Sequence, residues 1–391
     1  MNNLFFNDHL LKSESRISPA KSTARLFLDK NEQSDDVDFL FKEKVLGSLM
    51  DANWNRYPAA ENKDIEALVA NYCGLEQEHI VLGPGSASII TTLLNYFALG
   101  KKRIIIAQPT YTLFDYHCKT YNIEYEPWYL TSDLEYDYEN IPSLDAGSVL
   151  VITTPNNPVG NTFDPEKLEN ILISNPDSFV IVDAVYTEFS ETDFTPLVRQ
   201  YHNLLVLRSF SKAFPIAGLR LGYLCAAPQT SAVIRKLMLM FSINHFSLVF
   251  AREVLLSPKF IKQSKDRVQA ILHEREWMYQ ELNSRFDQSE LKVYKSAGNF
   301  LLIRVFNDAF FKQILEGLEK NGIKVLNTSP FPLLRNTFRV SIGTEEENEC
   351  FMECLEDSLL NNKCLQQSQS AFPDWIGEVG TLHQSQLAGS R

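Results

Sequence analysis

The stretch Leu207-Arg208-Ser209-Phe210-Ser211-Lys212-Ala213-Phe214-Pro215-Ile216-Ala217-Gly218-Leu219-Arg220-Leu221-Gly222-Tyr223 decides how this chain is read. A lysine stands among small hydroxyl residues directly after an apolar run, and an arginine follows eight positions later. Hydroxyls and a guanidinium suit a phosphate group, and a lysine in an enclosed site is an amine nucleophile. The segment therefore predicts a covalent attachment point beside an anion cradle.

Outward from this stretch, short apolar runs alternate with helical patterns over residues 60–225. The predicted strands are 79–82, 103–107, 149–153, 179–182, 203–207 and 221–226. Most are continuously apolar, as strands buried on both faces of a parallel sheet are. Helix-like stretches at 86–99 and 165–173 lie between them. This rhythm predicts an α/β domain with a mostly parallel sheet flanked by helices, whose ligand contacts cluster just after strand C-termini. Residues 228–285 read as mostly helical, and the apolar stretch 233–241, with Met238 and Met240, reads as core filling. Short strands return at 299–304, 323–326 and 337–342, with helical segments after the first and last. That half reads as a smaller α+β domain. The expected division is an arm at 1–50 that joins the small domain, a large domain at 51–285, a small domain at 286–365 and a tail at 366–391.

Three successive strand ends carry chemistry. The strand 149–153 runs into Thr154-Pro155-Asn156-Asn157-Pro158-Val159-Gly160, where two prolines flank a turn and present an amide. The next strand ends in Asp183, with Tyr186 three residues on, and the third ends in the lysine segment. Taken singly, the Asn pair reads as a turn and Asp183 reads equally as a cap on the next segment. Their joint order is the signal. Gly83-Pro84-Gly85-Ser86-Ala87-Ser88 follows a strand and opens a helical run, and backbone N–H groups at a helix N-terminus suit a phosphate. A dinucleotide fingerprint fails here, because Ser88 occupies the place of its third glycine.

These residues resemble the lysine motif of fold-type I pyridoxal-phosphate (PLP) enzymes, class I/II aminotransferases, most of all the histidinol-phosphate aminotransferase-like branch. The likeness spans most of residues 28–350. It implies that Lys212 holds PLP covalently and shuttles protons, that Asp183 faces the pyridine nitrogen, and that Tyr186 and Asn157 bond the ring's 3-oxygen. It implies phosphate contacts from Gly85, Ser86, Ala87, Ser209, Ser211 and Arg220, although Ala87 and Ser88 depart from the family's usual residues. Pro109-Thr110-Tyr111 resembles the segment whose aromatic stacks on the ring, which assigns Tyr111. Asn55-Arg56-Tyr57-Pro58 resembles the segment whose tyrosine reaches the partner subunit's cofactor, which implies a homodimer with Tyr57 in a shared site. Arg339, in Phe338-Arg339-Val340-Ser341-Ile342-Gly343-Thr344, matches the arginine that grips the substrate α-carboxylate. Leu28-Asp29-Lys30-Asn31-Glu32 resembles the family's N-terminal arm and assigns Asn31 to the substrate.

Composition bounds the alternatives. The 391 residues are 45% hydrophobic and 22% charged, with 37 Lys+Arg against 49 Asp+Glu and a formal net charge of −12. An acidic chain without a basic run is a poor match for nucleic acid or an anionic membrane. No apolar run approaches a membrane span, and the first residues lack a basic and apolar leader, so a cytoplasmic protein is expected. The six cysteines form no C-x-x-C pair, and no metal is expected.

The expected activity is PLP-dependent transamination of an α-amino acid. Decarboxylation, or elimination, cyclisation or oxidation at the β or γ carbon, shares the same cofactor site. A catalytically silent regulatory protein is the reading from a different class, opposed by the intact Lys212, Asp183 and Arg220. Histidinol phosphate is not the expected substrate. The family's Ile-x-Val-Arg strand reads Ile323-Lys324-Val325-Leu326 here, so Leu326 stands where that branch has a phosphate-binding arginine. Alternation puts Lys324 on the same face as Leu326. After Glu32 come Gln33, Ser34, Asp35 and Asp36, and the two acids would repel a phosphate if they lined the site.

Overall fold

The computed structural model describes residues 10–11 and 24–370, with side chains described as far as Leu359. In chain order, strand β1 (Leu26–Leu28) leads into helices α1 (Phe39–Met50) and α2 (Lys63–Cys73). There follow β2 (Ile80–Gly83), α3 (Ser86–Leu99), β3 (Ile104–Gln108), α4 (Thr112–Tyr121), β4 (Glu126–Tyr129), β5 (Val149–Thr153), α5 (Pro165–Ser174), β6 (Phe179–Asp183), β7 (Leu204–Ser209) and β8 (Gly222–Ala226). Helices α6 (Pro228–Arg235), α7 (His245–Leu255) and α8 (Pro258–Arg285) come next. The chain then forms β9 (Leu291–Tyr294), β10 (Phe300–Val305), α9 (Asp308–Lys320), β11 (Ile323–Asn327), β12 (Thr337–Ser341) and α10 (Glu345–Ser370).

The larger sheet has seven strands in the order β2-β8-β7-β6-β5-β3-β4. Its pairs are parallel except those of β8, which runs antiparallel to both β2 and β7. Leu150 and Ile152 join one buried cluster, while Val149 and Val151 join another across the sheet. Both faces are covered, which is why the central strands are continuously apolar up to their polar C-terminal ends. The fold is thus α/β, with a mixed sheet flanked by helices.

Local chemistry sets the element ends. Helix α5 starts at Pro165, and the Asp164 carboxylate accepts from the Glu166 and Lys167 amides. Helix α3 has Gly85 at its N-cap, with φ of 81°, and no side chain caps it. Its first amides are thereby left for another acceptor.

The smaller sheet has the order β1-β11-β12-β10-β9, with β1 parallel to β11 and the other pairs antiparallel. Three strands lie beyond the sequence expectations. β1 has three residues, too few to show a period; β4 is an edge strand carrying Pro127; β9 alternates over only four residues. The stretch 233–241 also differs from expectation. Helix α6 stops at Arg235, Met238 packs partly against the core, and Leu239, Met240 and Phe241 are exposed. Phe241 has a left-handed backbone with φ of 60°, which no helix continues through. The residues read for a leader peptide, and the expected tail beyond Ser370, lie outside the described residues.

Candidate active site

A cavity of about 320 Å³ opens at the C-terminal ends of the parallel strands. It is the crevice that a doubly wound sheet offers a ligand. Ser86, Ala87, Tyr111, Asn157, Asp183, Tyr186, Ser209, Ser211, Lys212, Arg220 and Arg339 all line it. These residues come from the ends of β5, β6 and β7, from the starts of α3 and α4, from the turn before β8 and from β12.

One end is built for an anion. Ser86 and Ala87 start α3, with Ser209 and Ser211 opposite, and the Ser211 amide donates to the Ser209 hydroxyl at 3.1 Å. Arg220 sits in a left-handed turn, φ 52°, after the short 3-10 segment Ala217–Leu219. A Cβ on Gly85 would fall 2.8 Å from Arg220 Nη2, so the glycine admits the guanidinium. A Cβ on Gly222 would fall 2.2 Å from the Ser86 nitrogen, a backbone clash without relief. Only glycine lets β8 pack this close to the helix start.

The other end is buried and acidic. Asp183 closes β6, is 2% exposed, and its Oδ1 is buried without a hydrogen-bond partner. Burial raises its pKa to about 7, opposed by the Val185 amide and the Lys212 charge. An orphaned carboxylate oxygen in a closed crevice calls for a cationic N–H. The orphaned acid, the glycine-lined cradle and the hydroxyls opposite it fit a phosphorylated pyridinium.

Lys212 lies between these ends, its Nζ 5.9 Å from the centre of the Tyr186 ring. The amine donates to the Lys30 carbonyl at 2.7 Å. Burial, then the Arg339 charge, lowers its pKa to about 8, which increases the share of free amine at neutral pH. Gln33 Nε2 donates to the Lys212 backbone carbonyl at 2.6 Å and so braces this loop. Burial pushes the Tyr186 phenol up to about 12, so it stays a protonated donor.

Arg339 is 4% exposed, and burial lowers its pKa. It donates through Nη1 to Asn157 Oδ1 and through Nη2 to the Asp29 carbonyl, with Nε buried and unpartnered. Its guanidinium lies 5.2 Å over the Phe300 ring. Asn157 spends its oxygen on Arg339, leaving its NH₂ for another acceptor. Its neighbour Asn156 instead holds the turn, through Nδ2 to the Pro109 carbonyl.

Asn31, expected at the substrate, is placed otherwise. It is fully buried with φ of 57°, donates from Nδ2 to the Tyr186 hydroxyl, and exchanges bonds with Ser341. Its neighbours Asp29, Lys30 and Glu32 line the cavity in its stead. Asp35 and Asp36 do not line it: Asp36 pairs with Lys42, and Asp35 lies 3.9 Å from Arg267. Tyr57 is 80% exposed, stacks on Phe241 with ring centres 5.1 Å apart, and is away from its own chain's cavity. Gly85 contributes through its contact with Arg220 rather than as a lining residue. Sequence reading missed Thr153, which lines the cavity at the end of β5 and bonds Thr110 at 2.6 Å. A polar residue ending a buried apolar strand was its signal. It also missed Asp29.

The model of the class I and II aminotransferases matches residues 27–355. This chain belongs to that family. It is 31% identical over 337 residues to a histidinol-phosphate aminotransferase of Chlorobaculum parvum, covering 85% of this chain and 92% of the relative. It is 32% identical over 341 residues to one from Pyrococcus furiosus, covering 87% and 94%. Among solved structures, the histidinol-phosphate aminotransferase of Clostridium acetobutylicum superposes with a TM-score of 0.76 at 24% identity, covering 86% of this chain and 99% of that one. That of Sinorhizobium meliloti, in complex with pyridoxal 5'-phosphate, has a TM-score of 0.75 at 19% identity, covering 92% and 98%. The fold is fold type I, in the histidinol-phosphate aminotransferase-like branch, and its cofactor is PLP. No helix among the described residues is long and apolar enough to cross a membrane.

Proposed function

We propose that this member of the family is an aminotransferase acting on an unphosphorylated α-amino acid, with Lys212 as its catalytic amine. The observation that carries the substrate reading is a cross-strand pair. Leu326 on β11 stands directly opposite Arg339 on β12, and both line the cavity. Adjacent cross-strand side chains bind as a unit. One guanidinium beside a leucine matches a single-charged carboxylate, whereas a phosphate is served by two neighbouring cations.

Bound PLP supplies an electron sink for charge developing at the substrate α-carbon. The α3 N-terminus, Ser209, Ser211 and Arg220 would hold its phosphate, and Tyr111 would lie against the ring. Asp183 would hold the proton on the pyridine nitrogen. The Asn31 bond leaves the Tyr186 hydroxyl hydrogen free to donate, and together with the Asn157 NH₂ it would serve the ring oxygen. Lys212 Nζ would carry the proton to and from the α-carbon. Arg339 would fix the α-carboxylate. Exposed apolar side chains at Tyr57 and at Phe241, on which it stacks, with Leu239 and Met240 next to Phe241 in the chain, support a homodimer in which Tyr57 serves the partner's site.

The relatives' names favour a second reading, histidinol phosphate as substrate. Purified holoenzyme should be given histidinol phosphate and a panel of amino acids, with keto acid, ammonia, carbon dioxide and peroxide each assayed. Keto acid formed from amino acids with the higher kcat/KM supports the proposal. A clear preference for histidinol phosphate overturns the substrate reading. Ammonia, carbon dioxide or peroxide as the stoichiometric product overturns the reaction type. Lys212→Ala should lose at least roughly 10³-fold in turnover.

A further inference from the structure

Beside Arg339, the cavity holds a charged group that neither the cofactor nor an α-carboxylate uses. Leu28, the last residue of β1, pairs with Val325 in the parallel β1–β11 ladder, so Asp29 leaves the ladder at the end of β11 that carries Leu326. Leu326 in turn pairs with Arg339 on β12, so the chain just past β1 reaches the same end of the small sheet as that pair. Asp29 is 8% exposed and lines the cavity. Its backbone carbonyl accepts from Arg339 Nη2. Its Oδ2 lies 3.1 Å from Lys324 Nζ, while its Oδ1 is buried without a partner.

A buried, unpartnered carboxylate oxygen on a residue that lines a binding cavity lacks the donor that buried acceptors ordinarily have. Lys324 offsets the charge, so the pair presents an acceptor with little net field. That favours a neutral N–H or O–H over a second cation. The group lies on the Leu326 side of Arg339, apart from Asp183 and the cofactor cradle.

We propose that Asp29 is a specificity-determining residue that reads a hydrogen-bond donor on the substrate side chain, selecting α-amino acids whose side chain carries a neutral donor. This rests on the reading of Arg339 as the α-carboxylate site. A site built to bond a donor discriminates against the isostere lacking it more sharply than an apolar pocket discriminates by size.

The test uses holoenzyme and three isosteric pairs: homoserine with norvaline, tyrosine with 4-methylphenylalanine, and glutamine with 5-oxonorleucine. In at least one pair the donor-bearing member should have the higher kcat/KM, by roughly ten- to hundredfold. Asp29→Ala should bring that ratio close to one. Asp29→Asn, which keeps the shape and one acceptor oxygen, should give an intermediate ratio and covers the case in which the alanine variant does not fold. Calorimetry with α-methyl analogues of the same pair, which lack the α-hydrogen and bind without turnover, should show the same ordering in Kd. Turnover of amino acids with no donor preference in any pair, or with a preference unchanged in both variants, overturns the role of Asp29 and leaves the aminotransferase reading standing. If no amino acid binds or turns over, the functional reading fails and this inference fails with it.

Discussion

The Asn31 side chain donates to the Tyr186 hydroxyl across 2.9 Å, tying the N-terminal arm to the turn that follows β6. Ser341 on β12 completes the link, accepting from the Asn31 amide at 2.8 Å and donating to its side-chain oxygen at 2.9 Å. One residue thus joins the arm, the large sheet and the small sheet, and sets the direction in which the phenol can donate.

Asn31→Ala should destabilise the fold by about 2–4 kcal/mol. Two buried hydroxyls lose partners, and alanine tolerates the left-handed backbone poorly. Urea denaturation of the cofactor-free protein measures this. A change under about 0.5 kcal/mol would show that water replaces the amide without loss.

The cofactor-free protein should have a stability minimum near pH 7–8. Asp183 has a folded pKa of about 7 against 3.8 for a free side chain, so between these values the folded chain keeps a proton that the unfolded chain has shed. Stability falls as pH rises through that window. Lys212 has a folded pKa of about 8 against 10.5, so there the unfolded chain keeps the proton and stability recovers as pH rises. Each limb has a slope of at most about 1.4 kcal/mol per pH unit. Denaturation midpoints across pH should lose the acidic limb in Asp183→Asn. An unchanged limb in that variant would assign it to other groups.

Leu326→Arg should shift preference toward histidinol phosphate. The new guanidinium would stand opposite Arg339 and restore the second cation of a phosphate site. The ratio of kcat/KM for histidinol phosphate to that for the preferred amino acid should rise by roughly 10- to 100-fold. A fall in both values with the ratio constant would mean that the β11 side chain does not face the substrate.

Light scattering should give twice the 44.7 kDa chain mass. Tyr57→Phe should weaken PLP binding by roughly 10- to 100-fold without altering that mass, since only a hydroxyl–phosphate contact is lost. An active monomer would remove Tyr57 from the site.

The sequence by itself determined six of the seven strands of the large sheet, all but the edge strand β4, and the residues that line the Lys212 end of the cavity. Strand β5 and helix α3 have the bounds read from their residues, because burial on both faces keeps a strand apolar up to its polar end and Gly85 interrupts the pattern before the helix. Asp183 and Lys212 were legible because each is a polar residue at or just beyond the end of such a run. Tertiary structure alone decided which residues meet at the Arg339 end of the cavity. The three residues of β1 carry no period of their own, and only their pairing with β11 near residue 323 brings Asp29, just past β1, to the Leu326 end of the small sheet. The antiparallel register then sets Leu326 opposite Arg339. Asn31 sits in a motif that reads as a ligand contact, yet the packing of two sheets delivers it to Tyr186 instead. Side-chain alternation along a strand is a local property of the chain, whereas which strands meet, and in what register, depends on loops closing over hundreds of residues.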